Sequence, residues 1–299
     1  MQLSIIIVSF NTEDLLVACL NSLFNHYRDE INHDDYEIIV VDNASSDGSV
    51  EYLRQHFPKV RVIENKTNLG FAKANNIGIK ASVGKNKLLL NPDTVVPKGT
   101  LTTMVAFMGQ YPDAGIATCK VQLINGELDD AWHRGFPTSL RALFYFTGLA
   151  NLFPQSQLFN GYHLGYRQID KIHEIDACVG AFLMIKRQVG EQVGWLDEDY
   201  FWYGDDLDLC FRVKAAGFKV MYVPSVSITH HKGVSSGLKK HSQYLSQATR
   251  EIKLRATQAR FEVMRIFYKK HYLKLYPWWL TQLVFLGISL KQKLAHFTV

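Results

Sequence analysis

The chain has only four cysteines, Cys19, Cys119, Cys178 and Cys210, and no two of them form a CxxC pair. That spacing signals neither a zinc knuckle nor a disulfide framework, and reduced thiols in a cytosolic compartment are the plain expectation. Glycine and proline are at ordinary levels, 20 and 8 of 299 residues, which excludes a collagen-like repeat. A chain that is 47% hydrophobic and 20% charged also has enough apolar surface to exclude disorder. No GxGxxG follows the first apolar run, so a dinucleotide-binding dehydrogenase is not indicated. No uninterrupted apolar stretch reaches the roughly 20 residues that a membrane-spanning helix needs. The run from Leu3 to Val8 lacks a basic leader and small cleavage-type residues, and reads as a first strand instead of a signal peptide.

Acidic residues are scarce in one region. From His231 to Val299 there are 13 Lys and Arg against two acids, Glu251 and Glu262, whereas the preceding 230 residues hold 20 basic and 26 acidic groups. The net charge of +5 is too small to suggest nucleic acid as a partner. A slightly acidic body with a strongly basic tail instead directs the tail toward an anionic partner such as a membrane surface.

The first half alternates β-branched runs with amphipathic stretches, the pattern of a mostly parallel sheet wound with helices. Strands are expected at Leu3–Ser9, Tyr36–Val41, Val60–Ile63 and Lys87–Leu90. Helices are expected over Glu13–Asn25, from the polar turn at Asp42–Gly48 to about Phe57, and over Phe71–Ser82. Each strand runs into a polar loop, and ligands of open α/β sheets bind outside such strand ends. Between about 125 and 175 the alternation fails and aromatics accumulate, Trp132 among them; this is expected to be an acceptor-side insertion or lid, with plain packing as the alternative. Strand character returns from Ile175 to Ile185 and in two short segments, Val220–Val223 and Val226–Ile228. Leu207, Cys210, Phe211 and Ala215 make a helical stripe that starts near Asp205.

The last 50 residues read as helix. Phe261, Met264, Tyr268, Tyr272 and Leu275 form one apolar face, followed by a charge-free run of fifteen residues, Tyr276–Leu290, that contains Trp278 and Trp279. This is too short to span a bilayer and suits an interfacial helix with a basic collar and Trp anchors. Packing on the domain, or on a homodimer partner, is the alternative.

Four clusters could carry chemistry. In Asn91-Pro-Asp-Thr94 a carboxylate projects from a strand end beside a proline, which suits a hard divalent cation completed by phosphate and water, although the same four residues also make an ordinary turn. In Asp205-Asp206-Leu207-Asp208 the acids favour a helix N-terminus and Asp208 can pair with Arg212, while one of Asp205 and Asp206 can reach a cleft and take a proton. The neighbouring Trp202 and Tyr203 suit either stacking on a sugar or burial. His230 and His231 end the last apolar segment, where a neutral imidazole can ligate Mn²⁺ or simply pack. Asn68 and Gly70 precede a helix whose backbone N–H groups could meet an anion, and the strand ends at Ser9-Phe10-Asn11 and Asp42-Asn43 complete the set.

Taken in order, Val8–Asn11, Val40–Ser49, Asn68–Gly78, Leu90–Thr94 and Tyr203–Arg212 resemble family 2 glycosyltransferases. They are most similar to the rhamnosyltransferase-like branch that builds bacterial surface polysaccharides such as O-antigen and capsule. The resemblance implies an α/β GT-A fold over residues 1–235, including a 125–175 acceptor-side insertion, and a basic helical extension over 236–299. It implies an inverting, metal-dependent transfer from a nucleotide-diphospho-sugar, dTDP- or UDP-linked, with rhamnose favoured. Galactosyl, galactofuranosyl or other hexosyl transfer and, in another class, an inactive nucleotide-sugar binding protein are the alternatives. A sugar-nucleotide pyrophosphorylase would need a Gly-rich, Arg-containing loop after the first strand. Processive synthases would need several spanning helices. Neither feature is present.

By the same resemblance, Ser9 and Asn11 would line the nucleotide pocket and Asp42 would contact the base. Asn68, Gly70 and Lys73 would lie along the ribose and diphosphate. Asn91 and Asp93 occupy the family's Asp-x-Asp motif, with Asp93 as the ligand to Mn²⁺ or Mg²⁺. His230 would complete the metal shell, with His231 leaving that register open. Asp205 and Asp206 match the catalytic acid pair, Asp206 as base, and Trp202, Tyr203 and Trp132 would face the acceptor. The implied partners are a lipid-linked saccharide and an anionic membrane surface, and no nucleic acid. The implied location is the inner face of the cytoplasmic membrane, peripherally bound.

Overall fold

Every residue of Leu3–Ser9 (β1) is buried, as expected of a strand covered by helices on both faces. In the computed structural model, which describes residues 1–129, 131–231 and 250–296, it is followed by α1 (Glu13–His26), α2 (Arg28–Asn32), β2 (Tyr36–Asp42), α3 (Ser49–His56), β3 (Val60–Glu64) and α4 (Phe71–Ala81). Next come β4 (Asn86–Leu90), the two-residue β5 (Thr94–Val95), α5 (Thr100–Gln110), β6 (Ala114–Leu123), α6 (Ser139–Phe146) and α7 (Leu149–Leu152). The remainder is β7 (His173–Ile175), β8 (Phe182–Lys186), α8 (Arg187–Val193), α9 (Asp205–Ala215), β9 (Lys219–His230), α10 (Arg250–His271) and α11 (Trp278–His296).

Among the described residues the strands form one sheet in the order β3-β2-β1-β4-β8-β6-β9-β5, with β7 pairing β9 off this path. The expected parallel pairing holds for β3-β2-β1-β4 and for β6 with β9. The other joints, β4-β8, β8-β6, β9-β5 and β9-β7, are antiparallel, so the sheet is mixed. Register places Ser9 opposite Asp42, Asp42 opposite Glu64 and Ile7 opposite Leu90, which brings the carboxyl ends of the first four strands to one rim. Strand order reverses at β1, the place where open α/β sheets offer a crevice to ligands.

Several boundaries differ from the sequence expectations. The expected strand at Ile175–Ile185 divides into β7 and β8, with residues 176–181 crossing the rim between them. The two expected segments after Val220 are one strand, β9, whose register against β6 shifts between Val223 and Ser227. Pro224 has no N–H to give the ladder and falls in that irregularity. Cys178 and Cys210, remote in sequence, have their sulfurs 3.9 Å apart and are free thiols.

The tail breaks at Pro277 into α10 and α11, which fold back on each other: Tyr268 meets Phe285, and Arg265 donates to Ser289 Oγ at 3.0 Å. The packed face of α10 carries Phe267, Tyr268 and Tyr272, because Phe211 of α9 meets Phe267 and Tyr272 edge-on. Met264 and Leu275, expected on that face, are exposed. The expected boundary between body and extension at 235/236 lies outside the described residues. No helix among the described residues is long and apolar enough to cross a membrane.

Candidate active site

At the rim, the short β5-β9 ladder pairs Thr94 with His230, and the His231 N–H donates to the Asp93 carbonyl at 2.8 Å. That pairing sets Asp93 Oδ1 3.2 Å from His230 Nε2, with Asn91 Nδ2 3.4 Å from the same nitrogen. On the other side of the ring, Nδ1–H donates to Asp129 Oδ2 at 3.1 Å. Asp129 is held in turn, its N–H on the Val121 carbonyl and its Oδ1 accepting from the Ala131 N–H. All three side chains are buried. Burial opposes charge on the imidazole, but the Asp93 and Asp129 carboxylates outweigh it and hold the His230 pKa up at about 9. Burial likewise pushes the Asp93 carboxyl up, and the paired His230 more than compensates, leaving it below the ordinary carboxylate value.

These residues pass a simple test for a divalent cation. A carboxylate and an imidazole nitrogen meet at one corner beside the Asn91 amide, whose buried Oδ1 has no hydrogen-bond partner among the described residues. Among the described residues no group of three or more His, Cys, Asp and Glu is placed to hold a metal ion by itself. Few protein oxygens with room for phosphate and water is the donor set that Mg²⁺ or Mn²⁺ takes. Of the two histidines, His230 is the one that faces Asp93. Asp129 was not among the residues singled out from the sequence; its only signal there was an acidic pair, Asp129-Asp130, just before a long acid-free stretch.

The nucleotide-side candidates lie across the crevice. Asp42 is buried, its Oδ2 accepts from the Ser45 N–H at 2.9 Å, and its Oδ1 has no partner among the described residues. Ser9 is fully buried with its hydroxyl 3.0 Å from Thr12 Oγ1. Asn11, at φ 50°, accepts from the Ser46 N–H and ties the loop after β1 to the loop after β2. Three backbone N–H groups leading into α4 are already engaged within the protein. Leu69 N–H donates to Asn43 Oδ1, Gly70 N–H to Asn68 Oδ1 and Phe71 N–H to the Phe201 carbonyl. A Cβ at Gly70 would lie 2.7 Å from Phe201, so glycine is required for this close approach, and φ is +82°. Lys73 is exposed one turn later.

The acidic cluster divides its labour. Asp208 is fully buried and accepts from Arg212 Nε at 2.7 Å and from His271 Nε2 at 2.7 Å, while Arg212 also donates to the carbonyls of Val193, Gly194 and Trp195. The predicted Asp208–Arg212 pair is thus a clamp that also takes in α10. Asp206, partly exposed, pairs with Arg134 NH2 at 3.0 Å and accepts from the Gly180 N–H at 3.1 Å. Burial works against charge on Arg134, and Asp206 more than restores it. Asp205 is buried with Oδ2 unpartnered among the described residues, and burial first, then the neighbouring Asp206, holds its carboxyl well above the usual range. Arg134 was likewise missed from the sequence. It lies in the aperiodic insertion and reaches the rim only because its backbone pairs with Ala177.

Trp202 and Tyr203 are half-buried, with parallel rings 6.0 Å apart beside the crevice. Trp132, expected to face an acceptor, does not. It is 5% exposed and packs edge-on against Tyr222, because a large indole in this position completes the core under β9. Its neighbour His133 sits 2.5 Å, Nε2 to Nε2, from His173, and burial and then that second ring push its pKa down to about 4. The unfolded chain takes up this proton near pH 6.5, so stability is expected to be complete above that pH and to fall as pH drops toward 4. The loss due to His133 is about 2 kcal/mol by pH 5, at about 1.4 kcal/mol per pKa unit. Melting curves at pH 7 and pH 5 test this: His133→Gln should show a smaller acid shift than wild type, and an equal shift would refute the assignment.

A sequence model of the family described as Glycosyl transferase family 2 matches residues 4–172. The N-acetylglucosaminyl-diphospho-decaprenol L-rhamnosyltransferase of Mycobacterium tuberculosis is 28% identical over 216 residues, covering 67% of this chain and 68% of that protein. Rhamnosyltransferase WbbL of Escherichia coli K12 is 28% identical over 238 residues, covering 76% and 82% respectively. Among solved structures, a mannosyltransferase from Pyrobaculum calidifontis in complex with GDP-Man and Mn²⁺ superposes with a TM-score of 0.58 at 16% identity. It covers 90% of this chain, which spans 64% of that one. The last likeness is one of fold: the mixed sheet with flanking helices is the GT-A arrangement.

Proposed function

The chain belongs to glycosyl transferase family 2, and on that premise we propose that it performs inverting transfer of a hexosyl-type sugar, rhamnose favoured, from a dTDP- or UDP-sugar to a lipid-linked saccharide in cell-surface polysaccharide assembly. The two relatives that are rhamnosyltransferases support the sugar. The observation that carries the reading is Asp206, ion-paired and open to the crevice, on the same rim as the Asp93–His230 pair and the unpartnered Asp42 oxygen. The acceptor oxygen bonds to the anomeric carbon while the bond from that carbon to the diphosphate oxygen breaks. The acceptor proton passes to the Asp206 carboxylate, and the electron pair of the broken bond leaves with the nucleoside diphosphate. Arg134 and the Gly180 N–H both donate to Asp206 Oδ2 and fix the carboxylate, while Oδ1, which accepts from the Leu207 N–H at 2.7 Å, keeps a lone pair for the acceptor proton.

Asp93 and His230, with Asn91 beside them, would hold Mn²⁺ or Mg²⁺. Bound there, the cation offsets negative charge building on the departing diphosphate. Asp42 Oδ1 suits the N–H of a pyrimidine base, Ser9 and Asn11 frame that side of the crevice, and Lys73 supplies a cation from the first turn of α4. Trp202 and Tyr203 are left as the acceptor-side aromatics. Residues 1–235 with the 125–175 insertion form the catalytic unit, and 236–299 the basic extension.

Calorimetric titration of dTDP, UDP and GDP, each with Mn²⁺, Mg²⁺ or chelator, tests the reading on wild type and Asp93→Ala. One nucleotide should bind in a metal-dependent way that Asp93→Ala abolishes; binding by none of them under any condition overturns the proposal. Asp129 acts by orienting His230, since a carboxylate on Nδ1–H leaves Nε2 to face Asp93. Asp129→Ala should weaken Mn²⁺ binding about 10–100-fold, read by paramagnetic resonance titration, and Asp129→Asn should recover part of it. Wild-type affinity in Asp129→Ala would exclude this role.

A further inference from the structure

Helix α6 has Leu140, Ala142, Leu143, Phe144, Tyr145 and Phe146 among its eight residues, and none of its residues is buried. A helix that is apolar nearly all round belongs in a core or against a hydrophobic medium, not in water. The exposure continues beyond it through Leu152, Phe153 and Leu158. On α11, Trp279, Leu283, Leu286, Leu290 and Leu294 recur at spacings of three and four, and all are exposed. The two elements meet: Lys291 Nζ of α11 lies 4.1 Å over the ring of Phe146 at the end of α6. An apolar surface built from two separate parts of the chain marks a binding face.

We propose that the α6–α7 segment and α11 together form one membrane-docking face, which lies in the interface of an anionic bilayer and delivers the lipid-linked acceptor to the crevice. This deepens the function proposed above and rests on its lipid-linked acceptor. Charge selects the occupant. From Phe136 to Ile169 the chain has no acidic residue, and after Glu262 it has none either, while Arg265, Lys269, Lys274, Lys291 and Lys293 follow; Lys270 is taken up by Asp197 and Asp199. In a two-fold dimer this face would meet itself, setting one net-basic collar against another, whereas anionic headgroups complement it. The Trp278–Trp279 pair, 77% and 53% exposed, stands at the start of α11, where an interfacial helix anchors. The same insertion carries Arg134, which contacts Asp206, so the docking face is continuous in sequence with the acceptor side of the site.

The test is co-sedimentation of the full chain with phosphatidylglycerol-containing vesicles and with pure phosphatidylcholine vesicles. Wild type should bind the anionic vesicles preferentially. Leu143→Glu/Leu152→Glu and, separately, Leu283→Glu/Leu286→Glu should each reduce binding about tenfold or more, since each places charge on a side chain that would enter the apolar part of the bilayer. These side chains are exposed, and unchanged melting temperature and unchanged metal-dependent nucleotide binding in both variants establish that the fold and crevice are intact. Normal vesicle binding by the α6–α7 variant overturns the two-part face. Failure of wild type to bind vesicles, with a dimer in sedimentation that the same substitutions dissociate, assigns the face to a second copy and overturns the proposal. Because binding to vesicles is read without any transfer, a failure of the transferase reading appears separately, as loss of nucleotide binding in wild type.

Discussion

Asp206→Asn is expected to bind nucleotide and metal as wild type does and to transfer sugar about 10²–10⁴-fold more slowly. The amide keeps the shape of the side chain and its place beside Arg134 and the Gly180 N–H, but it cannot take the acceptor proton. The change should therefore appear in kcat and leave the nucleotide Kd in place. Asp205→Asn should cost much less, because Asp205 is buried and its neighbour holds it toward the neutral form. Equal losses of binding and turnover in Asp206→Asn would mean that Asp206 organises the crevice instead of accepting the proton.

The largest stability effect is expected at the third carboxylate of the same cluster. Asp208 is fully buried between Arg212 and His271, and both outweigh the burial that would otherwise raise its pKa. Removing one partner of a buried ionic cluster strands the others, typically at about 3–5 kcal/mol. Arg212 keeps its three carbonyl acceptors, so Asp208→Ala should fall at the lower end, a drop in Tm on the order of 10 °C. Since the Asp208 pKa is depressed in the folded state, the wild-type advantage should be full at neutral pH and vanish as pH falls below the carboxylate range. A shift under about 1 °C at neutral pH would show that the clamp contributes little.

The first four strands and α1, α3 and α4 were legible to within a residue or two because their core faces are unbroken: β1 is buried at every position, and α1 repeats Leu16, Cys19, Leu20 and Leu23 on one side, whereas the five-residue α2 is too short to show a period. The insertion was opaque for a physical reason. Apolar periodicity reveals an element only when its apolar side faces the core, and α6 buries none of its residues. The split of 175–185 was hidden because the crossing segment is itself largely apolar and buried, Ala177, Cys178 and Ala181 included. Within the site, Asp93, Asp206 and His230 could be found because each stands at a strand end or helix start with a recognisable neighbour. Arg134 and Asp129 could not, since tertiary pairing alone brings them in, through Ala177 and Val121. Trp132 was misplaced because an aromatic residue beside a binding edge looks the same in sequence whether it stacks on ligand or on Tyr222.

The double hold on Asp208 also gives the chain an order of completion. Ribosomal synthesis delivers α9 first, with Arg212 one turn away, but His271 follows 63 residues after Asp208. It arrives on α10, whose Val263 lies against Gly204 just ahead of the acid pair. A nascent chain therefore acquires the finished surroundings of Asp205 and Asp206 only when α10 is nearly made. A chain interrupted before α10 carries the acids of α9 without His271 on Asp208 or Val263 against Gly204.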